Sequence, residues 1–303
     1  MPKQDFLSLL DLPFEDLDYL IHRGMRFRQM REAGEVYRPL VGRTAALILQ
    51  MNSTRTRVAF QAGMAQLGGD ALFLGVADTQ IGRGEPTPDL ARVLSEMVDI
   101  VMIRTHEHSD IELLAETATI PIINAMSSLL HPCQLLADVQ TFYEKRGPIR
   151  GANVAFIGDG YNMCHSYINA ARQWDFNLKI ACPAGYEPNA DILASTDNAQ
   201  LVDTPAEAVT DAHLVVTDVW SSMGHEEQEG DRRATFNDYQ VNEGLLAQAA
   251  SDVVFMHCLP AHRGEEVSET LLEDPRSVVW QEAGNRLHSQ KALMEFLLLG
   301  RAD

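Results

Sequence analysis

The stretch 44–67 reads TAALILQMNSTRTRVAFQAGMAQL and contains two contrasting apolar patterns. The continuous apolar run at 44–50 predicts a buried strand, and the apolar spacing at 58–67 predicts a helix. Ser53-Thr54-Arg55-Thr56-Arg57 lies between them and has no apolar member. A helix start offers free N–H groups and a positive dipole end, and arginines bind phosphate oxygens in pairs. The stretch therefore predicts an anion site. The alternative is an ordinary N-cap at Ser53 or Thr54 with solvated arginines.

Size and charge limit the architecture and the partners. The chain has 303 residues, of which 46% are hydrophobic, so two domains with separate cores are expected. Lys+Arg total 24 against Asp+Glu 43, a net charge of −19. This balance argues against a nucleic acid or an anionic membrane as partner, because both demand a basic face. No apolar run approaches the roughly 20 residues of a membrane span, so we expect a soluble, cytoplasmic protein.

The cysteines are scattered along the chain at Cys133, Cys164, Cys182 and Cys258. They form no C-x-x-C pair, so the spacing indicates neither a disulfide framework nor a zinc knuckle. We expect reduced thiols.

Strand-like and helix-like segments alternate in both halves of the chain. The first half has a helix at 11–34, strands at 44–50, 71–76, 100–104 and 120–124, and further helices at 58–67, 88–98, 109–117 and 131–146. The second half has strands at 153–158, 178–182, 199–202, 213–217, 252–257 and 277–280, and helices at 162–174, 188–195, 205–210, 242–250 and 265–273. This order predicts an α/β protein with two domains, each a parallel β-sheet flanked by helices.

The domain boundary is expected at Lys145-Arg146-Gly147-Pro148, where a helix ends in basic residues followed by Gly-Pro. We predict a first domain over residues 1–147 and a second over 148–284. The final stretch, 285–303, is expected to be helical and to pack back on the first domain.

Polar clusters follow the predicted strands at the end where ligands of open parallel sheets collect. Arg104 ends one strand, and His131 and Gln134 lie three apart on one face of a helix start. Further clusters occupy 157–162, 218–224 and 257–260. A phosphate cradle beside a histidine and an amide suits a phosphorylated carbonyl compound, because His131 can donate to a developing oxyanion. Acyl transfer with phosphate as the leaving group is the expected reaction class.

Four motifs resemble a known family over nearly the full length of the chain. Ser53-Thr54-Arg55-Thr56-Arg57 and His131-Pro132-x-Gln134 resemble the motifs that aspartate and ornithine transcarbamoylases share. Asp218-x-x-x-Ser222-Met223-Gly224 and His257-Cys258-Leu259-Pro260 resemble the ornithine branch. The resemblance implies carbamoyl transfer from carbamoyl phosphate to the δ-amine of L-ornithine, giving L-citrulline and phosphate, without a cofactor or a metal.

The resemblance also implies site residues. Carbamoyl phosphate would be bound by Ser53, Thr54, Arg55, Thr56, Gln80, Arg104, His131, Gln134, Cys258, Leu259 and Arg286. Ornithine would be bound by Asn162, Asp218, Ser222 and Met223. The catalytic residues would be Arg104, His131 and Cys258, and a Cys258 thiolate would help to deprotonate the amine, with Asp218 as a possible helper. Gln80 resembles a glutamine that reaches a neighbouring subunit's site, which implies a homotrimer with shared active sites. Arg57 would brace the loop through an ion pair.

Three other readings stay open on the sequence alone. One is a transcarbamoylase for a related acceptor, such as an acylated ornithine, a diamine or aspartate. Another is a catalytically weak phosphate-binding protein, because Gln50 and Met51 replace the glutamate and lysine that the family usually has. The third is a dinucleotide oxidoreductase, suggested by Gly158-x-Gly160 and disfavoured by Met163 at the third glycine position. Further departures from the family pattern are Tyr161, Ala125, Ser128 and Gly284.

Overall fold

The computed structural model describes residues 3–75, 84–220 and 229–302. The chain divides into two compact units, one comprising Met1–Gln140 with Gly284–Asp303 and the other Thr141–Ala283. Both unit boundaries fall inside long helices, the fifth and the eleventh.

Most of the elements alternate as the sequence predicts. In chain order up to the first boundary they are α1 Phe14–Glu32, β1 Thr44–Leu49, α2 Thr54–Gln66, β2 Asp70–Gly75, α3 Thr87–Ser95, β3 Ile100–Arg104, α4 His108–Thr117, β4 Ile122–Met126 and α5 Pro132–Arg146. The remaining ones are β5 Asn153–Ile157, α6 Asn162–Trp174, β6 Asn177–Ala181, α7 Ala190–Leu193, β7 Ala199–Leu201, α8 Pro205–Val209, β8 Leu214–Thr217, α9 Glu229–Phe236, α10 Glu243–Leu246, β9 Val254–His257 and α11 Val279–Leu299.

Each unit contains one parallel sheet. The first sheet has the order β2-β1-β3-β4, and the second has the order β7-β6-β5-β8-β9. In the first, Leu47 lies opposite both Phe73 and Met102. The sheets confirm the predicted fold class. In both sheets the strands that carry polar clusters are neighbours, so their carboxyl ends meet at one edge.

The central strands are buried on both faces, as parallel sheets require. Ala46 and Ile48 of β1 pack with Val101 and Ile103 of β3 in one apolar cluster of the first unit. Each fully buried aliphatic side chain of this kind contributes roughly 1.5–3 kcal/mol to stability. The polar residues at the strand ends are therefore attached to a rigid, buried sheet.

The C-terminal helix α11 is bonded to α1. Arg23 holds Glu295 with two hydrogen bonds of 2.6 and 2.9 Å, and Arg301 binds Asp16 at 2.6 Å. Gly24 permits this approach, because a Cβ there would lie 3.4 Å from the backbone of Ser289 and closer still to a Gln140 side chain.

Two predictions about local structure are wrong, and one helix has no counterpart among the predicted elements. The predicted strand 277–280 contributes only a single bridge from Ser277 to Phe255, and α11 starts at Val279 instead. The predicted helix 265–273 is an irregular segment with a bridge at Val267 and a short 3₁₀ turn at Leu271–Glu273. Helix α9 was not predicted. In each case long-range packing outweighs local propensity.

None of the described helices has the length and hydropathy of a membrane span.

Candidate active site

The start of α2 combines a helix cap with the predicted anion cradle. Ser53 is the N-cap residue in an extended conformation, and its Oγ accepts a hydrogen bond of 3.2 Å from the Thr56 N–H. Ser53 is therefore the N-cap, while of the two arginines that the alternative places in solvent Arg57 is exposed and Arg55 is half-buried. Helix α2 begins at Thr54, four residues before its predicted start, so Thr54, Arg55 and Thr56 form the first turn at the positive dipole end.

Thr56 contributes a buried hydroxyl to this turn. The residue is 1% exposed, and its Oγ1 has no hydrogen-bond partner among the described residues. A buried polar atom without a partner costs about 1–3 kcal/mol. A ligand oxygen bound at the helix start would remove that cost.

The two arginines of the motif have different surroundings. Arg55 is close enough to His131 to lower its pKa. Arg57 donates to Gln61 Oε1 at 3.0 Å and lies 3.9 Å above the Phe73 ring. These neighbours, rather than the expected ion pair, hold Arg57 within the described part of the chain. Arg55 is therefore the arginine of this motif that faces the histidine.

A buried neutral histidine lies among three guanidinium groups. His131 directly precedes α5 and is 5% exposed. Burial lowers its pKa well below the ordinary value, and Arg286, Arg104 and Arg55 lower it further. His131 is therefore neutral at physiological pH and can donate a hydrogen bond without adding positive charge. The positive charge of the site resides on the arginines, which favours an anionic ligand.

The Gln134 side chain is fixed by its neighbours. Its Nε2 donates to Asp138 Oδ1 at 2.8 Å, and its Oε1 accepts from Arg286. Gln290, with its amide oriented to satisfy both atoms, accepts from Arg286 Nη2 at 2.8 Å. The structure thus brings Arg286 to Gln134 across 152 positions of sequence. Asp138 and Gln290 were missed, although each lies four residues after a predicted ligand on the same helix.

The second unit brings its polar strand ends together in the same way. Asp218 follows β8, and Cys258 follows the neighbouring strand β9. The Cys258 thiol donates to Asp218 Oδ1 at 3.1 Å, and the Val219 N–H donates to the same oxygen at 2.8 Å. Burial raises the Asp218 pKa, while His257 and these hydrogen bonds oppose the rise. Asn162 opens α6 after the adjacent strand β5 and is buried.

His257 shapes the turn that carries Cys258 and Leu259, although its role was not predicted. Its Nδ1 accepts from the Leu259 N–H at 2.9 Å, and its Nε2 lies 3.1 Å from Glu266 Oε1. Leu259 has a φ of 56°, a left-handed conformation that is strained for leucine. The imidazole bond helps to hold this conformation. Asp218, His257 and Cys258 have possible metal-ligand atoms within 4.8 Å of one another, but both ring nitrogens of His257 are already engaged.

A buried ion pair lies at the exit of β5 and was also missed. Arg232 on α9 donates to Asp159 and, at 2.6 Å, to the Trp220 carbonyl. Its guanidinium lies 4.7 Å from the centre of the Tyr186 ring. Burial raises the pKa of Asp159 to about 6, and Arg232 opposes the rise. No sequence motif marks this pair.

The glycines of the possible dinucleotide motif serve packing. A Cβ on Gly160 would lie 2.5 Å or less from the backbone of Tyr186, Glu187 and Pro188. Gly158 has a φ of 125°. Gly160 is therefore required by the close approach of a neighbouring backbone segment, and Gly158 by its positive φ.

Some predicted residues lie outside the described part of the chain, namely Gln80, Ser222 and Met223. One departure from the family pattern has a structural role. Gln50 Oε1 accepts from Thr105 Oγ1 at 2.7 Å, which links the ends of β1 and β3 without a charge.

Both halves of the chain match domains of one known protein family. Residues 4–144 match the carbamoyl-P binding domain of aspartate/ornithine carbamoyltransferase, and residues 150–297 match its Asp/Orn binding domain. The ornithine carbamoyltransferase of Chromohalobacter salexigens is 55% identical over 100% of both chains. The anabolic ornithine carbamoyltransferase of Pseudomonas aeruginosa is 56% identical over 98% of both.

Solved structures agree as well. Ornithine carbamoyltransferase from Pyrococcus furiosus has a TM-score of 0.94 and 43% identity, covering 99% of this chain and 98% of its own. The enzyme from Burkholderia thailandensis has a TM-score of 0.92 and 48% identity, covering 99% and 100%. The chain therefore belongs to the aspartate/ornithine carbamoyltransferase family.

Proposed function

We infer that this protein transfers the carbamoyl group of carbamoyl phosphate to the δ-amine of L-ornithine, producing L-citrulline and phosphate. The neutral, buried His131 among Arg55, Arg104 and Arg286 is the observation that carries the inference. Such a site favours a small anion and presents an uncharged donor to its carbonyl. The anabolic relative in Pseudomonas aeruginosa supports the direction of arginine biosynthesis.

The first domain, residues 1–147 with 285–303, binds the donor substrate in this proposal. Ser53, Thr54, Arg55 and Thr56 hold the phosphate at the start of α2. Arg104 and His131 donate to the carbonyl oxygen, while Gln134 and Arg286 hold the carbamoyl amide. The bonds among Asp138, Gln134 and Arg286 support this role because they fix the Gln134 amide before a substrate binds. A Gln134 side chain held in one orientation helps to position the carbamoyl group for attack.

The second domain, residues 148–284, binds the acceptor. Asn162, Asp218, Ser222 and Met223 hold the amino-acid end of ornithine, and Cys258 and Leu259 contact the reacting groups. The ornithine amine normally titrates near 10.4, so it must lose a proton before it attacks. The buried Asp218, with its raised pKa and its bond to the Cys258 thiol, supports a role for this pair in taking up that proton.

The reaction then proceeds by addition and elimination. The neutral amine attacks the carbonyl carbon, and the oxyanion forms beside His131 and Arg104. Phosphate leaves into the cradle at the start of α2. Positioning and fixed donors supply most of the acceleration.

Acceptor choice tests this function directly. Carbamoyl phosphate is supplied with ornithine, putrescine, N-acetylornithine or aspartate, and both phosphate release and the carbamoylated product are measured. We expect turnover with ornithine and little with the others. Preference for another acceptor would identify a related transcarbamoylase, and binding of carbamoyl phosphate without any turnover would identify a non-catalytic protein.

Arg55→Ala and Arg57→Ala form a matched pair for the donor site. We expect Arg55→Ala to lose about 10²-fold or more in turnover, as for a lost oxyanion donor. Arg57→Ala should lose far less, because Arg57 bonds Gln61 and Phe73. Near-normal citrulline formation by Arg55→Ala would contradict the assignment of Arg55.

The assembly is proposed to be a homotrimer in which Gln80 reaches the site of a neighbouring subunit. The edge strand β2 supports an interface, because Leu72 is 51% exposed there and Val58 on the adjacent helix α2 is 57% exposed. Mixing Gln80→Ala with Arg55→Ala subunits tests the sharing of sites. If each site takes Arg55 from one subunit and Gln80 from its neighbour in a symmetric trimer, random mixing in equal amounts makes about a quarter of the active sites intact. Recovery of no activity would refute the shared site.

A further inference from the structure

A cavity of about 450 Å³ in the first unit lies apart from the residues assigned to carbamoyl phosphate. Its lining includes Phe27, Arg31 and Tyr37 from the N-terminal region, Arg38, and Lys291 from α11. The lining also contains one carboxylate, Glu35, which pairs with Arg26 at 3.0 Å. The cavity therefore combines aromatic walls with three cationic side chains and one acidic side chain, an excess of positive charge that suits a small anion.

Lys291 is the buried cation of this cavity. It is 6% exposed, and its Nζ lies 4.6 Å from the centre of the Phe27 ring. Its hydrogen-bond acceptor is the neutral amide of Gln66, at 3.3 Å. Glu295, the carboxylate that acts on the Lys291 pKa, already forms two hydrogen bonds with Arg23. Among the residues that the structure describes, the ammonium therefore forms no ion pair of its own.

This setting favours the neutral amine. Burial, Arg31 and Arg23 lower the pKa of Lys291 to about 8, and Glu295 opposes the change. A larger fraction of Lys291 is therefore neutral near pH 7 than of an ordinary lysine. Desolvation and a neighbouring cation are the two features that activate lysine nucleophiles.

We propose that this cavity is a second site for acyl phosphates, in which Lys291 accepts a carbamoyl group from carbamoyl phosphate. The neutral amine attacks the carbonyl carbon, and a C–N bond forms while the C–O bond to phosphate breaks. Phosphate leaves with the electron pair, and the proton of the amine passes to solvent. Arg31 and Arg38 bind the phosphate end. The product is N-carbamoyl-lysine, which is neutral and no longer requires a counter-charge.

The chain has four lysines, so the other three, Lys3, Lys145 and Lys179, serve as internal controls. Wild-type enzyme is incubated without ornithine in carbamoyl phosphate labelled with ¹³C, and the label on each lysine is followed by peptide mapping. The lowered pKa gives Lys291 a larger neutral fraction than an ordinary lysine, and weaker nucleophilicity and restricted access reduce this advantage. We expect Lys291 to be labelled about tenfold faster than the exposed Lys145. Equal or slower labelling of Lys291 would overturn the proposal.

Cyanate, which forms from carbamoyl phosphate, is the competing source of the same group. Arg38→Gln separates the two, because Arg38 is not among the groups that shift the Lys291 pKa. We expect this variant to slow labelling by carbamoyl phosphate about fivefold or more, and to leave labelling by potassium cyanate within twofold. Inorganic phosphate should likewise slow only the first reaction. Equal effects with both reagents would refute a phosphate-binding site.

Arg55→Ala separates this site from the transfer reaction. The variant should lose citrulline synthesis and still label Lys291 at the wild-type rate. Loss of Lys291 labelling together with turnover would show that the label comes from the transfer site, and it would overturn the second site.

Discussion

Removing Arg232 should unfold the second unit at a much lower temperature. Arg232 is 5% exposed and its partner Asp159 is 9% exposed. The guanidinium also donates to the Trp220 carbonyl at 2.6 Å and lies 5.4 Å from the centre of the Phe236 ring. Arg232→Met keeps much of the side-chain volume and removes the charge. It leaves Asp159 buried without its partner.

The expected magnitude follows from this burial. Breaking a buried ion pair by removing one partner costs about 3–5 kcal/mol. For a unit of this size, that cost corresponds to a fall in Tm of roughly 10–20 °C. Asp159→Asn combined with Arg232→Met should recover most of the loss, since the uncompensated charge is then absent.

Scanning calorimetry at pH 7.5 measures the effect, and Arg233→Met is the matched control. Arg233 lies next in the sequence, but its side chain is 63% exposed and pairs with Glu265 at the surface. Such pairs contribute about 0–1 kcal/mol. A fall of under 3 °C for Arg232→Met, or one equal to that of Arg233→Met, would refute the reasoning.

The pH dependence gives a second check. The pKa of Asp159 in the folded protein is raised to about 6 from 3.8, so the penalty for its buried charge grows as pH rises through that range. Loss of Arg232 should raise the pKa further. The difference in Tm between the wild type and Arg232→Met should therefore be smaller at pH 5 than at pH 7.5. A difference that does not change with pH would show that the buried charge of Asp159 is not its cause.

Three further predictions concern the site and its surroundings. Thr56→Val should leave Tm unchanged or higher, because the Oγ1 atom lacks a partner among the described residues, and should raise the KM for carbamoyl phosphate about tenfold or more; an unchanged KM would exclude this hydroxyl as a ligand. His131→Ala should lower kcat by about 10²–10³-fold. The dependence of the wild-type kcat on pH should show no ionisation of His131 near pH 6.5, since the pKa of this histidine lies well below that value. A change in kcat near pH 6.5 that is present in the wild type and absent in the variant would contradict a neutral histidine. The Lys291→Met variant should have its largest stability advantage over the wild type below pH 8. Because the pKa of Lys291 is lowered in the folded protein, the unfolded wild-type chain binds more protons between about pH 8 and 10.5, and the free energy of unfolding of the wild type therefore rises with pH in that range. Urea titrations at pH 7.5 and 10 should show a smaller advantage of the variant at pH 10.

The sequence alone determined the architecture and most of the proposed ligands. Alternating apolar segments predict two parallel sheets, because such strands are buried on both faces and read as continuous apolar runs. The polar clusters follow predicted strands, so the rule that ligands collect at the carboxyl ends of parallel strands predicts that Ser53, Arg104 and His131 lie at one edge of a sheet. The roles of individual residues came from the family resemblance rather than from spacing.

The side chains that support those ligands are set by long-range contacts, which local sequence patterns do not reveal. Arg286 reaches Gln134, and Arg232 reaches Asp159, across sequence separations that carry no local signal. The same holds for the cavity around Lys291, whose chemistry depends on burial by α1 and α2. Segment 277–280 likewise has the composition of a strand, but its second half is the start of α11, because tertiary packing outweighs a propensity that spans about 1 kcal/mol. The local sequence pattern determines where polar residues follow the strands. Burial and long-range contacts determine which charged groups form pairs and which groups have shifted pKa values.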